Sequence, residues 1–342
     1  MNKKTHPIDF VVTWLDSSDP NWQKEFVKYK GVDKEGDQSD ARYRDWNLFR
    51  FWFRSVEAYA PWVNKIFLVT NGKFPDWINP NHPKLVLVKH SDYIPHQFLP
   101  TFNSCTIELH LNRIKGLSEH FVYFNDDCFI NSPVKPEYYF KNGLPCDNNK
   151  ETFLNVPIYH KEYKLGIFPS ILTNIGVINA NFDRWKTVCQ SLKKWFGPHL
   201  GFKGILLSGL LGRQRKFIGF NIRHFEQPFL KSVFNEAWEN ASDMLYKSCT
   251  RFREDIIINP YFFRYWQFVT NRFYPVRLKH AKHYRIVRFR AKEIEKAIGD
   301  SNIKSLCIND TQFCSQDDYY YMKGLFEKAF IQKLPNKSSF EK

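Results

Sequence analysis

Short apolar runs alternate with helical patterns over the first 130 residues of the chain. Near-continuous apolar runs of four to seven residues are typical of parallel strands that are buried on both faces. Four such strands are predicted, at residues 8–14, 66–70, 85–88 and 121–124. Strands that alternate with helices favour a layered, Rossmann-like α/β domain.

Two helices are predicted between these strands. The first ends before Pro61 and has apolar residues at helical spacing, namely Trp46, Phe49, Phe53, Val56 and Ala60. A second helix is expected after residue 103 and through residue 114, with Thr101 or Asn103 as its cap. The polar loop at residues 31–40 follows the first strand, and it is either a lid that orders on substrate or a plain insertion.

Polar residues follow each predicted strand at its carboxyl end, where parallel sheets bind their ligands. They are Asp16 and Asp19, Asn71, His90 and Asp92, and Asn125, Asp126 and Asp127. Strand ends are also ordinary polar loops, so the recurrence carries more weight than any one residue. Adjacent carboxylates repel and need a cation, hydrogen-bond donors or water. Asp126 and Asp127 are therefore candidate ligands of a metal that meets a phosphate.

Two pairs of arginines have the chemistry of a phosphate site. Arg42 and Arg44 precede the first predicted helix, where the helix dipole disfavours cations. They either hold a diphosphate or are exposed to solvent. Arg251 and Arg253 would share one face of an extended segment and stabilise a transferring phosphoryl group, unless they pair with the acidic residues 254 and 255.

A histidine and a second Asn-Asp pair complete the set of candidates. His224 precedes a predicted helix, and its role as a general base depends on proximity to Asp126 and Asp127. Otherwise it is structural or exposed. Asn309 and Asp310 end another apolar run and repeat the earlier Asn-Asp pair. Neither pair has the DxD spacing expected of many nucleotide-sugar glycosyltransferases.

The composition limits the partners and the compartment. A net charge of +15 suits nucleotide phosphates or an acidic lipid surface, and no motif of nucleic-acid binding occurs. Seven irregularly spaced cysteines indicate a reducing compartment. Without a recognisable signal peptide or spanning segment, we expect the cytoplasm, with contact to the inner face of the plasma membrane. That contact is predicted at residues 204–212, an apolar run flanked by basic residues, for which a core helix is an equal alternative.

Four blocks of residues resemble the Stealth family of hexose-1-phosphate transferases. They follow the family's order along nearly the whole chain and include IDFVVTWLD at 8–16, RYRD at 42–45, FNS at 102–104, YFNDD at 123–127, His224 with QP at 227–228, TRFR at 250–253 and CINDT at 307–311. This family includes bacterial capsule polysaccharide phosphotransferases and the catalytic subunit of the lysosomal-enzyme N-acetylglucosamine-1-phosphotransferase. The resemblance implies transfer of sugar-1-phosphate from a UDP-sugar to an acceptor glycan, with release of nucleoside monophosphate.

The resemblance also implies roles for the candidate residues. Asp126 and Asp127 are expected to hold Mg2+ or Mn2+, with Arg251 and Arg253 on the diphosphate. The catalytic set is completed by Asp310 and by His224 as the base, for which Asp127 is the rival. The residues expected to bind nucleotide or sugar are Asp16, Arg42, Arg44, Asn103, Ser104, Asn125, Gln227 and Asn309.

The expected fold class is thus α/β, a Rossmann-like and GT-A-like layered sheet with an added, mostly helical region rich in aromatic residues and arginine. We expect a nucleotide-sugar-binding half at 1–185, a basic and apolar helical insert at 186–245 and a part completing the site at 246–342. The short chain favours a bacterial, polymer-building role. Its rivals are a glycosyltransferase that moves the sugar alone and a non-enzymatic basic protein that binds membranes or nucleic acid.

Overall fold

The computed structural model describes residues 6–30, 44–154, 167–254, 257–311 and 314–342; the loop at 31–40, Arg42 and residue 255 lie outside these ranges. The strands are β1 (Ile8–Thr13), β2 (Ile66–Thr70), β3 (Leu85–Lys89), β4 (His120–Phe124), β5 (Cys128–Ile130), β6 (Phe140–Lys141), β7 (Leu144–Asp147), β8 (Gln227–Leu230), β9 (Tyr274–Pro275), β10 (Ala281–Arg285) and β11 (Ser305–Asn309). The α-helices are α1 (Pro20–Lys30), α2 (Phe49–Tyr59), α3 (Ser104–Leu109), α4 (Phe168–Asn181), α5 (Arg184–Gln190), α6 (Leu192–Trp195), α7 (Gly201–Leu211), α8 (Lys231–Ser248), α9 (Tyr261–Val269), α10 (Ala291–Gly299) and α11 (Gln316–Lys333).

The largest sheet has the strand order β3-β2-β1-β4-β8. Its first four strands are parallel, and β8 runs antiparallel to β4 at the edge. Every residue of β2 and β4 is buried, as expected of strands within a parallel sheet. The four strands predicted from apolar runs and the α/β class are therefore confirmed. The chain from α4 to α9 is mostly helical, as predicted.

A smaller sheet, of order β10-β11-β5, is joined to the large one at the end of β4. β4 ends at Phe124 and β5 begins at Cys128, so residues 125–127 connect the two sheets. β11 pairs antiparallel with β5 and parallel with β10. This pairing brings a strand from the last part of the chain to the connection at 125–127.

Helix α2 anchors the end of the chain. Its most buried side chains are no more than 1% exposed, namely Phe51, Trp52, Phe53 and Val56. Arg54, on the same helix, donates from Nε and Nη2 to the two carboxylate oxygens of Glu341, at 2.8 Å each. Its Nη1 donates to the carbonyl of Leu334 at 3.0 Å. The guanidinium thus fixes both the end of α11 and the residues beyond it.

Two local predictions were wrong, and one helix was missed. Helix α1 was not predicted, although Trp22 and Phe26 lie four positions apart and stack at 4.9 Å. Helix α3 stops at Leu109 rather than continuing to residue 114, because the His110 ring hydrogen bonds the Thr106 carbonyl that the next helical turn would use. Strand β8, rather than a helix, follows His224 directly, and α8 begins only after it.

Most of the buried apolar residues form one continuous cluster, which extends from Ile8 to Phe340. The division into three segments at residues 185 and 245 stays a prediction. Among the described residues, no helix combines the length and the apolar character needed to cross a bilayer.

Candidate active site

The candidate site lies at the carboxyl ends of β1 and β4, where the chain passes from the large sheet to the small one. The turn at 125–127 is closed by the amide of Cys128, which donates to the carbonyl of Asn125 at 3.1 Å. The antiparallel pairing of β5 with β11 then places Asn309 beside this turn. The structure therefore brings together the two Asn-Asp motifs that the sequence singled out.

Asp127 accepts hydrogen bonds at both carboxylate oxygens. Its Oδ2 accepts from Asn309 Nδ2 at 2.9 Å and from His224 Nε2 at 3.3 Å. Its Oδ1 accepts from Cys128 Sγ at 3.3 Å. Burial would raise the pKa of this carboxyl, but the charge of His224 and the three donors lower it to about 2. Asp127 is therefore ionised at neutral pH.

His224 is the charged partner of Asp127. Burial alone would lower the pKa of its imidazole, whereas Asp127 and the nearby Cys307 raise it well above the ordinary value. At neutral pH the two residues consequently rest as an imidazolium and a carboxylate. The ring of His283 lies 5.6 Å from that of His224, and burial together with this neighbouring charge lowers the pKa of His283 to about 4. His283 therefore stays neutral beside the pair.

Asn125 connects this pair to the large sheet. Its Oδ1 accepts from the hydroxyl of Tyr123 at 2.7 Å, and its Nδ2 lies 3.5 Å from His224 Nε2. The Tyr123 hydroxyl is also 3.0 Å from Thr13 Oγ1, at the end of β1. Thr13, Tyr123 and the side-chain oxygen of Asn125 thus form one connected chain from β1 and β4 to the turn, which ends beside His224.

Glu108 is a buried acid of the site to which the sequence reasoning gave no role. It lies on α3 and is 8% exposed. Burial raises the pKa of its carboxyl to about 7, although the charge of Arg253, a hydrogen bond with Tyr123 and the charge of His224 oppose the rise. The only signal in the sequence was an acid between two apolar residues of a short helix. Glu108 links the His224 region to the arginine segment.

Asp126 differs from its neighbour because its side chain is exposed. Partial desolvation, repulsion from Asp127 and repulsion from Asp45 raise the pKa of its carboxyl, and the exposure to water limits that rise. A carboxylate surrounded by like charges and open to solvent suits a hard divalent cation. Asp127, by contrast, already has donors at both oxygens.

Asp310 and Arg44 lie together beside the second sheet. Asp310 Oδ2 accepts from Trp46 Nε1 at 3.1 Å, and its Oδ1 lies 3.8 Å from Arg44 Nη1. Arg44 Nη1 also donates to the carbonyl of Cys314 at 3.0 Å. Burial raises the pKa of Asp310, and the contacts with Thr311, Arg44 and Trp46 oppose the rise. These contacts connect the start of α2 to the end of β11.

The segments around Asn103 and Arg251 meet across the site. Asn103 is fully buried, caps α3 through the amide of Cys105 at 3.0 Å and donates to Thr250 Oγ1 at 3.1 Å. Arg251 donates from Nε to the carbonyl of Pro100 at 3.2 Å, and its guanidinium lies 4.2 Å from the ring centre of Tyr29. A bend replaces the extended segment predicted for the arginines.

The remaining predicted residues have separate surroundings. Ser104 is exposed at the start of α3 and interacts with Glu108. Asp16 Oδ1 accepts from the amide and hydroxyl of Ser18, at 2.9 Å and 2.6 Å, beyond the end of β1. Gln227 lies on β8 and lines a cavity of about 40 Å³ with Glu226. The binding roles expected for Ser104, Asp16 and Gln227 stay predictions.

Known proteins match this chain over nearly its whole length, and one family model matches part of it. Residues 42–147 match the model of Stealth protein CR2, conserved region 2. The chain is 41% identical over 344 residues to a capsular polysaccharide phosphotransferase WcwK of Streptococcus pneumoniae, which covers 99% of each chain. It is 38% identical to a receptor polysaccharide phosphotransferase WefC of Streptococcus oralis, over 100% of each chain. The chain belongs to the Stealth family.

A further relative and one solved structure extend the comparison. Exopolysaccharide phosphotransferase cps2G of Lactiplantibacillus plantarum is 34% identical, over 98% of this chain and 96% of that protein. The galactosyltransferase LgtC, solved with donor and acceptor sugar analogues, matches 97% of this chain and 98% of its own with 9% identity and a TM-score of 0.39. A likeness that low supports no inference about function.

The conserved Stealth region supplies only part of the site. Glu108, Asn125, Asp126 and Asp127 lie inside the matched range, 42–147. The other catalytic candidates lie beyond it, namely His224, Arg251, Arg253 and Asp310, as does the binding candidate Asn309. Two strand pairs bring the later residues to the earlier ones: β8 pairs with β4, and β11 pairs with β5.

Proposed function

We propose that this protein transfers sugar-1-phosphate from a nucleotide-activated sugar to a hydroxyl of an acceptor glycan, in the synthesis of capsule or another cell-surface polysaccharide. The donor is a UDP-hexose or a UDP-N-acetylhexosamine. Membership of the Stealth family supports the reaction class, and the names of the relatives support the polysaccharide role. The observation that carries the proposal is the hydrogen-bonded pair of Asp127 and His224, supported by Asn309.

The acceptor oxygen attacks the phosphorus that carries the sugar. A new oxygen–phosphorus bond forms, the bond from this phosphorus to the bridging oxygen breaks, and nucleoside monophosphate leaves with the electron pair. His224 takes the proton of the acceptor hydroxyl once the imidazolium has released its own proton. Asp127 orients the ring and stabilises its charged form.

Positive charge for the phosphates comes from the arginine segment. Arg251 and Arg253 neutralise charge on the attacked phosphorus and on the leaving phosphate. Glu108, whose pKa responds to the charge of Arg253, keeps this arginine near the site. Asp310 holds Arg44 toward the same edge of the sheet.

The donor is bound by polar residues around this centre. The set that we assign to nucleotide or sugar is Asp16, Arg42, Arg44, Asn103, Ser104, Asn125, Gln227 and Asn309. Asn103 contributes through position rather than direct contact, because its buried amide caps α3 and bonds Thr250. Asn309 likewise acts through Asp127.

A divalent cation, Mg2+ or Mn2+, fits the open carboxylate of Asp126. The repulsion that raises the pKa of Asp126 is relieved by a bound cation, which supports this assignment. When bound, such an ion supplies charge neutralisation for the diphosphate. Asp127, the second predicted ligand, adds negative charge beside Asp126 on the same turn. Its Oδ2 accepts hydrogen bonds from His224 and Asn309.

Helix α7 provides a surface that suits an anionic membrane. Phe202, Leu206 and Leu210 point outward on this helix and are 82%, 52% and 77% exposed. Lys203 and Arg213 are exposed beside them. A helix with an outward apolar face and basic flanks is typical of contact with acidic lipid headgroups. We infer that the enzyme works at the inner face of the plasma membrane, where polysaccharide is assembled.

The nucleotide product decides between this proposal and its rivals. The purified protein, incubated with UDP-sugars and acceptor oligosaccharide, should release UMP and form a phosphodiester. A glycosyltransferase would release UDP as the sole nucleotide, and that result would overturn the proposal. If neither nucleotide forms with any donor although the protein binds anionic vesicles, the result would favour the non-enzymatic role.

A further inference from the structure

We propose that Asp127, Cys128, His224 and Cys307 form a binding site for a thiophilic divalent cation of the Zn2+ type, and that the bound ion inhibits the enzyme. One ligand atom from each residue lies within 4.8 Å of every other. Two sulfurs, one ring nitrogen and one carboxylate oxygen are a donor set of tetrahedral zinc sites and a poor set for Mg2+. The inhibitory effect rests on the proposed function, whereas the binding site does not.

The fold gathers these donors from three separate segments. Asp127 directly precedes Cys128, the first residue of β5, and Cys307 lies directly opposite Cys128 on β11. Opposed residues of antiparallel strands have side chains on the same face of the sheet, so the two sulfurs are neighbours. His224 reaches the group from the segment before β8.

The hydrogen bonds around the site show which protons a bound cation would replace. Cys128 Sγ donates to Asp127 Oδ1 at 3.3 Å, so the loss of that thiol proton frees a sulfur and a carboxylate oxygen together. Each thiol and the His224 ring give up a proton to solvent as they bind the ion. Asn309 continues to hold Asp127 Oδ2 at 2.9 Å and orients the carboxylate, as outer-shell partners of zinc ligands do.

The site is accessible from one side. The side chains of His224 and Asp127 are 33% and 20% exposed, whereas Cys128 and Cys307 lie beneath them and are at most 1% exposed. A cation that enters past His224 meets the sulfurs last. Once bound, it fixes the His224 ring to the two sulfurs and Asp127, so the ring no longer exchanges a proton with the acceptor and transfer stops.

Cadmium absorbance tests the site directly. Cd2+ is titrated into the full-length protein, kept reduced by a phosphine, and the ultraviolet thiolate-to-metal band is followed without any substrate. We expect a band that saturates at one ion per chain and weakens in both Cys128→Ser and Cys307→Ser. Cys189→Ser is the matched control because Cys189 is exposed and lies on α5, and this variant should keep the full band.

Three outcomes of the titration would overturn the site: a full band in both serine variants, loss of the band in Cys189→Ser, or displacement of Cd2+ by millimolar Mg2+ alone. Circular dichroism establishes that each variant is folded. If one serine variant does not fold, the other, together with His224→Gln, serves in its place.

Zinc inhibition provides the functional readout. With Mn2+ in excess, Zn2+ should inhibit UMP release, and a chelator should restore it. Loss of a ligand in Cys128→Ser should raise the inhibitory Zn2+ concentration by at least the roughly 10- to 100-fold that loss of an outer-shell partner costs. Equal inhibition of this variant and the wild type would overturn the inhibitory role. Failure to observe UMP from the wild type would leave the cadmium result standing, so the two proposals fail separately.

Discussion

Two adjacent carboxylates, Asp126 and Asp127, have opposite environments. Asp127 has donors at both oxygens and a pKa of about 2. Asp126 is exposed, and its pKa is raised by partial desolvation and by repulsion from Asp127 and Asp45. The sequence shows that two carboxylates are adjacent at this turn and must be compensated. The partner of each carboxylate, however, depends on β11 and on His224.

Amide substitutions should separate the two carboxylates. Asp126→Asn should raise the half-activating Mn2+ concentration about tenfold or more, because a ligand is lost. Asp127→Asn should lower kcat by roughly 100- to 10,000-fold, since His224 loses the group that orients it. UMP release measured against Mn2+ concentration checks both. If the two variants shifted the Mn2+ midpoint equally with the same kcat, the assignment would be wrong.

Glu226 makes stability depend on pH. Burial raises the pKa of its carboxyl to about 7 from 4.5, although Ser305 and Tyr139 hydrogen bond it. The folded state therefore binds this proton more tightly than the unfolded state, so stability is lost as the pH rises from about 4.5 to about 7. Glu226→Gln should be more stable than the wild type above pH 7, by on the order of 3 kcal/mol.

Urea unfolding at several pH values checks this difference. The excess free energy of unfolding of Glu226→Gln over the wild type should decrease below neutrality and vanish near pH 4. Glu239→Gln is the matched control, because Glu239 is exposed on α8. An advantage of Glu226→Gln that does not change with pH would contradict the linkage.

At the scale of elements, the prediction was best for strands buried within the sheet. Most side chains of the parallel strands are apolar, as expected of strands that are covered on both faces. The positions of these strands therefore follow from the sequence alone. Helix α1 was missed because its apolar face is narrow and packs on Phe102. The length of α3 depends on a hydrogen bond from the His110 side chain, which no periodicity encodes.

The contact between α2 and the end of the chain should be costly to break. Glu341→Ala leaves Arg54 buried without its carboxylate, which should lower the free energy of unfolding by about 3 kcal/mol or more. Glu295→Ala removes an exposed ion pair with Lys292 on α10 and should change stability little. Urea denaturation compares the two variants. Equal effects would show that the Arg54 contact contributes no more than a surface pair.

Helix α7 should determine binding to lipid. Phe202→Ser with Leu210→Ser should weaken sedimentation with anionic vesicles and leave the fold intact, because both side chains are exposed. Val27→Ser with Tyr320→Ser, at exposed apolar positions outside α7, is the matched control and should bind as the wild type does. Binding should also fall with added salt. Unchanged binding of the α7 variant would remove this surface from the proposal.

For the molecule as a whole, the candidate residues were recognisable from the sequence, but their roles were not. The echo of Asn125-Asp126 in Asn309-Asp310 indicated a shared site, and the hydrogen bond between Asp127 and Asn309 agrees with it. Asp310 instead bonds Trp46 and lies beside Arg44. Glu108 was given no role because nothing local distinguishes a buried acid from a surface one. Such roles depend on contacts between distant segments.

The pairing of β5 with β11 also sets the time at which the enzyme can become active. Asp127 and Asn309 are 182 positions apart, so the ribosome completes the large sheet's first four strands long before it reaches the amide donor. A chain that stops before residue 309 holds the parallel strands but lacks the group that fixes Asp127. Competence therefore arrives only after residue 309 has been synthesised, and chains that stop before it should not consume nucleotide-sugar.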